Sequence, residues 1–213
     1  MTRSQTVSVI IPLYNEAELV NVLEEKLTNA LAEETDNFEI VIVDDGSTDG
    51  TLEKLIAWHK RDPRVVLVQL SRNWGHQAAF NAGLDHATGD AVILMDGDLE
   101  DPPMVISALL REWREGYEVV TTEKRSRTQK PFLRFLTNAY YRILEATVEI
   151  PTRPQSGMFS LLDRVAADAL RSMGERNKSY PNLRALIGFK TCTVTYDRDP
   201  RAAGSPKQSF RRL

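Results

Sequence analysis

The sequence predicts an α/β fold, a mostly parallel central sheet with helices on both faces. Three observations carry the prediction. Runs rich in Val and Ile at 7–11, 38–43, 65–70 and 91–95 are apolar almost throughout, as in strands buried on both sides. Amphipathic helical patterns separate these runs, and that alternation gives parallel strands joined by right-handed crossovers. The chain has 213 residues, 42% of them hydrophobic and 27% charged, which suits one ordinary globular domain and excludes a disordered or fibrous chain.

The elements follow in order. The first strand, 7–11, ends at Pro12, and Leu19, Leu23, Leu27 and Leu31 then mark one face of a helix. Strand 38–43 stops at Asp44-Asp45-Gly46-Ser47, and a helix runs from about 49 to 61 with Thr48 or Asp49 as N-cap. Strand 65–70, a helix at 75–86 and strand 91–95 complete the alternating half. After Pro102-Pro103 a helix reaches about Glu115, followed by a strand at 117–122 and a polar, basic loop at 121–130. An aromatic-rich helix at 132–144, a strand at 157–162, a helix at 164–173 and a last strand at 188–196 finish the domain. Residues 1–196 read as one α/β domain and 197–213 as a basic interaction tail without periodicity.

Charge divides the chain. Residues 1–101 hold 7 basic and 19 acidic side chains, whereas 102–213 hold 20 basic and 11 acidic. An acidic first half suits a metal ion, and a basic second half suits phosphate or a membrane surface; chance drift of surface charge accounts for the split equally well. The single cysteine, Cys192, forms no internal disulfide and points to a reducing compartment. No run of about 18 apolar residues is present to span a bilayer. The N-terminus enters a strand pattern directly, without a signal-peptide hydrophobic region.

Three polar clusters terminate strands: 12–16, 44–50 and 96–101. Each alone is a turn, because Asp, Asn and Gly make turns. In a parallel sheet they meet at one rim, where so many carboxylates repel one another unless a cation joins them. Asp96 and Asp98, at i and i+2, suit Mg²⁺ or Mn²⁺, bound directly or through water. Trp58 and Trp113 fall on apolar helix faces, Cys192 reads as a small buried hydrophobe, and His76 caps or packs locally. Three scattered histidines have no metal-ligand spacing, and basic patches without a recognition motif give no support for nucleic acid.

The ordered motifs Val9-Ile10-Ile11-Pro12-Leu13-Tyr14-Asn15-Glu16, Val43-Asp44-Asp45-Gly46-Ser47-Thr48-Asp49, Arg72-Asn73-Trp74-Gly75-His76 and Asp96-Gly97-Asp98-Leu99-Glu100-Asp101-Pro102-Pro103 resemble the family 2 glycosyltransferases. The chain looks most like the branch that transfers sugar to polyisoprenyl phosphate, the dolichol-phosphate mannose or glucose synthases and their bacterial relatives. The resemblance implies a GT-A fold and a single inverting displacement at the anomeric carbon of a UDP- or GDP-linked sugar. It implies that Pro12, Tyr14, Asn15 and Glu16, with Asp44, Asp45 and Ser47, bind the nucleotide sugar. Asp96 and Asp98 would hold Mg²⁺ or Mn²⁺, and Glu100, standing where the branch usually has Gln, could join them.

For the acceptor, the resemblance implies that Arg125, Arg127 and Arg134 lie near the lipid phosphate, with Arg201 and Lys207 in a loop closing over both phosphates. A solvated helix face is the alternative for the basic run 124–142. Gly157-Met158-Phe159-Ser160 departs from the Gly-Asp-Phe-Arg of many bacterial relatives, so a carboxylate proposed there as base is missing. A phosphate acceptor, already ionised, needs no such base. The partners implied are a nucleotide sugar, a polyisoprenyl phosphate lipid and a membrane surface at its cytoplasmic face, with a homo-oligomer left open. Two alternatives stand beside this reading: a saccharide or other soluble acceptor, and a catalytically silent sugar-nucleotide or membrane-binding module. Similar proteins of the branch continue into transmembrane helices, so a longer, membrane-anchored protein is expected.

Overall fold

The computed structural model describes residues 5–124, 157–174 and 180–197. Among these, seven strands form one sheet: β1 (Val7–Leu13), β2 (Phe38–Asp44), β3 (Val65–Gln69), β4 (Ala91–Leu94), β5 (Val119–Lys124), β6 (Ser160–Asp163) and β7 (Thr191–Tyr196). The helices are α1 (Val20–Ala32), α2 (Thr51–Arg61), α3 (His76–His86), α4 (Ile106–Arg114), α5 (Arg164–Ser172) and α6 (Tyr180–Leu186). The strand order is β3-β2-β1-β4-β6-β5-β7. β1, β2, β3 and β4 pair in parallel, as does β5 with β7, while β6 runs antiparallel to both neighbours.

Every residue of β1 is buried, and its side chains alternate between two cores because successive Cβ atoms point to opposite faces. Val7, Val9, Ile11 and Leu13 pack with Leu23, Leu27 and Leu31 of α1, Trp58 of α2 and Leu109 of α4. Ile10 packs on the other face with Phe80 and Leu84 of α3, Leu170 of α5 and Tyr180 of α6. The two-sided burial expected from the apolar runs is therefore present, with Trp58 and Trp113 in the core.

Several expectations shift. β1 continues through Pro12 to Leu13, β5 extends from Val119 to Lys124, and β6 begins at Ser160. The seven-residue α6 was absent from the sequence reading; Pro181 and Arg184 obscure its apolar face. Cys192 is only partly buried. The loop at 121–130 gives way to strand as far as Lys124. The expected helix at 132–144 lies outside the described residues. No described helix is long and apolar enough to cross a membrane.

The topology places the site. From β1 the chain moves outward to β2 and β3, then returns so that β4 lies on the other side of β1. Loops leaving the carboxyl ends of β1 and β4 diverge at this reversal, the crevice where open α/β sheets receive ligands. Those loops are residues 14–19 and 95–102.

Candidate active site

The loop after β1 and the loop after β2 hold each other. Asn15 adopts φ 54°, a left-handed conformation that Asn tolerates better than most residues. Its N–H donates to Ser47 Oγ at 3.0 Å, and its Oδ1 accepts from Thr48 N at 2.7 Å. Glu16 N donates to Thr51 Oγ1 at 2.9 Å. Asp49 accepts from Thr51 N and Oγ1 and from Ala17 N. Burial opposes its charge, but these hydrogen bonds outweigh it and hold its carboxyl below the usual range. Pro12 lies inside β1, and Tyr14 is 37% exposed.

Asp44 and Asp45 are both buried. Asp44 accepts from Ser47 N, closing the turn. Asp45 reaches the third strand-end loop, its Oδ1 accepting from Trp74 N at 2.8 Å and its Oδ2 from Gly75 N at 3.0 Å. Gly46, at φ +71°, lets the two loops touch; a Cβ there would stand 2.5 Å from the Arg72 carbonyl carbon. Arg72 stacks its guanidinium 3.9 Å above the Trp74 ring, which is 55% exposed.

The loop after β4 carries the paired carboxylates. Asp96 and Asp98 are half-buried, with Gly97 and Leu99 buried between and beyond them. A Cβ at Gly97 would come within 2.3 Å of Leu13 Cδ2, so a glycine lets this loop lie against β1. Leu99, buried at φ 57°, holds a conformation costly for a large side chain. Asp98 Oδ1 accepts from Glu100 N at 3.0 Å. Asp96 Oδ1 lies 2.6 Å from His76 Nε2, so His76 does more than cap or pack. Its position just after the strand-end turn Asn73-Trp74-Gly75 is the signal by which the sequence could have placed it at the rim.

Asp101 ends this loop differently. It is buried, accepts from the Tyr196 hydroxyl and pairs with Lys124 Nζ at 2.7 Å. Burial and the neighbouring Asp101 carboxylate raise the Tyr196 hydroxyl well above its ordinary pKa, so it remains a donor. The acidic loop is thus fastened to the last residues of β5 and β7.

Residues 157–160 enter the same rim ahead of β6. Arg184 of α6 is buried there and donates to Gly157 O at 2.6 Å, to Met158 O at 3.2 Å and to Ser160 Oγ. Burial lowers its pKa to about 10, and the guanidinium stays charged near neutrality. Met158 Sδ meets Gln77 Nε2 at 3.9 Å. The sequence reading singled out the departures at Met158 and Ser160 but not the arginine that fixes them.

The structure thus places Tyr14, Asn15, Glu16, Asp45, Ser47, Asp96, Asp98 and Glu100 on the loops after β1, β2 and β4, with Pro12 and Asp44 in the last residues of β1 and β2. Arg125, Arg127, Arg134, Arg201 and Lys207 lie outside the described residues. Among the described residues no three His, Cys, Asp or Glu side chains form a ready metal cage.

The family model for glycosyl transferase family 2 matches residues 8–171. The chain belongs to glycosyl transferase family 2. It is 36% identical over 214 aligned positions to the uncharacterized glycosyltransferase YkcC of Bacillus subtilis, covering 100% of this chain and 66% of that protein. Over 202 positions it is 33% identical to the prophage bactoprenol glucosyl transferase homolog of Escherichia coli, covering 94% of this chain and 66% of that protein. The chain therefore spans just under two thirds of the length of these relatives.

Among solved structures, the mannosyltransferase PcManGT from Pyrobaculum calidifontis, in complex with GDP-Man and Mn²⁺, superposes with a TM-score of 0.65. Identity is 25%, covering 99% of this chain and 60% of PcManGT. Glucosyl-3-phosphoglycerate synthase from Mycobacterium tuberculosis gives a TM-score of 0.66 at 20% identity, covering 94% of this chain and 73% of that one, a likeness of fold alone. The mixed, mostly parallel sheet is the GT-A fold expected of this family-2 glycosyltransferase domain.

Proposed function

We propose that this chain is the catalytic domain of an enzyme that transfers a hexosyl group from a nucleotide sugar to a polyisoprenyl phosphate, with inversion at the anomeric carbon. The observation that carries the reading is the half-buried carboxylate pair Asp96 and Asp98 on the loop after β4, which meets the loop after β1 at the topological reversal. Relatives named as bactoprenol glucosyl transferases support the lipid phosphate acceptor. PcManGT, solved with GDP-Man and Mn²⁺, supports the nucleotide sugar and the cation.

Asp96 and Asp98 fit a divalent cation, Mg²⁺ or Mn²⁺. Both are hard oxygen donors on one loop, and such ions commonly take one or two carboxylates and complete their shells with water and substrate phosphate. A tight all-protein cage is not required, and Glu100 stands within the same loop. When bound, the cation supplies Lewis-acid stabilisation of the leaving nucleoside diphosphate. Tyr14 offers its exposed ring to the nucleoside, while Asn15, Glu16 and Ser47 line the loop that Asp44 and Asp45 hold in shape.

In the reaction, an oxygen of the acceptor phosphate attacks the anomeric carbon. The bond from that carbon to the diphosphate oxygen breaks, and its electron pair leaves with the diphosphate. The acceptor is ionised at neutral pH, so Met158 in place of a carboxylate does not impair the nucleophile. Arg125, Arg127, Arg134, Arg201 and Lys207 are the proposed phosphate-binding cations, suited by forked or point-charge donors. The same basic segments would hold the domain to the anionic cytoplasmic face of a membrane.

The test is nucleotide release from UDP-glucose and GDP-mannose, with and without undecaprenyl phosphate, in Mn²⁺ and in EDTA. Release that requires both the lipid phosphate and Mn²⁺ is the expected result. Release that does not depend on the lipid phosphate, or none under any condition, overturns the proposal.

A further inference from the structure

The structure assigns His76 as a positioning residue that orients the Asp96 carboxylate for cation binding, an inference that rests on the divalent-cation reading above. The linkage to Asp96 begins two strands away. Both oxygens of buried Asp45 are engaged by Trp74 N and Gly75 N. These bonds fix the turn in which Gly75, at φ 93°, opens α3. His76 is the first residue of that helix. Its ring meets buried Phe80 edge-on, with centroids 4.7 Å apart and planes at 86°, which defines where the imidazole points. Nε2 then lies 2.6 Å from Asp96 Oδ1.

The result is a continuous linkage from the loop after β2, through the turn after β3, to the carboxylate after β4. No other hydrogen bond among the described residues engages Asp96, so His76 alone selects its orientation. With Oδ1 held by His76, Oδ2 is the second oxygen that the carboxylate can offer a cation. Hydrogen-bonded partners of metal-binding carboxylates fix their orientation, and removing such a partner typically weakens metal binding 10–100-fold. A histidine that served only to start α3 would have no reason to end on this oxygen.

Three variants of the full chain, His76→Ala, His76→Gln and His76→Asn, separate the roles. Gln places an amide N–H near the position of Nε2, while Asn falls short. Mn²⁺ affinity is read directly by electron paramagnetic resonance in the presence of UDP, and UDP affinity without metal by calorimetry. His76→Ala and His76→Asn should weaken Mn²⁺ binding about tenfold or more. His76→Gln should restore most of it, and metal-free UDP binding should stay unchanged in all three. Wild-type Mn²⁺ affinity in His76→Ala, or equal losses in the Gln and Asn variants, overturns the assignment while leaving the cation reading intact. Absence of Mn²⁺ binding in the unsubstituted chain overturns the cation reading and the role of His76 with it.

Discussion

The two rims of the sheet use carboxylates for different ends. At the amino-terminal rim, Glu39 accepts from Ser8 Oγ, Thr88 N and Thr88 Oγ1. There Asp90 accepts from Thr6 N, and Asp163 from Trp113 Nε1 and Val165 N. Arg164 caps the same edge by donating to the carbonyls of Ala87 and Gly89. Each acid there closes a turn or ties a loop. At the carboxyl rim, Asp44, Asp45, Asp49 and Asp101 do similar work, but Asp96 and Asp98 sit half-buried at the topological reversal. Sequence composition alone does not separate the two kinds of acid, because both fall at or near strand ends. The strand order sets Asp96 and Asp98 apart, because it places their loop at the topological reversal.

The largest effect should come from the pair that distinguishes the rims. Asp98→Ala, and to a lesser degree Asp96→Ala, should lower sugar transfer about 100-fold or more, since charge stabilisation by a bound cation is worth several kcal/mol. The thermal midpoint should hardly move, because neither side chain is a core group. A variant that loses activity only in proportion to its loss of folded protein would return these residues to the structural class.

Gly46→Ala should break the carboxyl rim by another route. The new Cβ would meet the Arg72 backbone at 2.5 Å, at a φ of +71°. Backbone atoms cannot yield as a side-chain tip can, so we expect a loss of about 2–3 kcal/mol in denaturant unfolding. Nucleotide affinity should fall as well, since the loop that bears Ser47 is displaced. Unchanged stability would mean that the two loops separate more readily than their packing implies.

Much of the parallel half was legible from sequence. Runs such as 40–43 and 91–95 are apolar on both alternating phases and too short for a helix, which fits a strand covered on both faces. The antiparallel direction of β6 was not legible, because periodicity carries no sign of strand direction. α6 was missed because seven residues containing Pro181 and Arg184 leave too little pattern. In the site, the acidic clusters could be read as converging, since parallel strands end on one edge. The division of labour within them could not. Asp45 and Asp96 look alike in sequence, yet one holds the turn before His76 and the other receives His76.

Tyr196→Phe probes the boundary inside the acidic loop. Asp101 lies in the same motif as Asp96 and Asp98 but is buried against Tyr196 and Lys124. Removing a hydroxyl that donates to a buried carboxylate should cost about 2 kcal/mol of stability. If Asp101 serves to fasten the loop, the variant should show a lower thermal midpoint with Mn²⁺ affinity little changed. A large loss of Mn²⁺ affinity at unchanged stability would place Asp101 with the acids proposed to hold the cation instead.

The smallest effect should fall at the opposite rim. Glu39→Gln retains an oxygen acceptor for Ser8 Oγ and Thr88 N, both at 2.6 Å from Oε1 in the native protein, and removes only the charge that strengthens them. Ser8 is fully buried and its hydroxyl also accepts from Gly89 N at 2.7 Å, so the local geometry should persist. A cost of about 1 kcal/mol or less is expected by chemical denaturation. Transfer activity per folded molecule should match the native chain, because this rim and the proposed site lie at opposite ends of the same strands. A marked change in Mn²⁺ or UDP affinity would show that strain at the amino-terminal rim travels along β1 and β2 to the loops they carry. The carboxylates of the two rims would then be mechanically coupled despite their separate tasks.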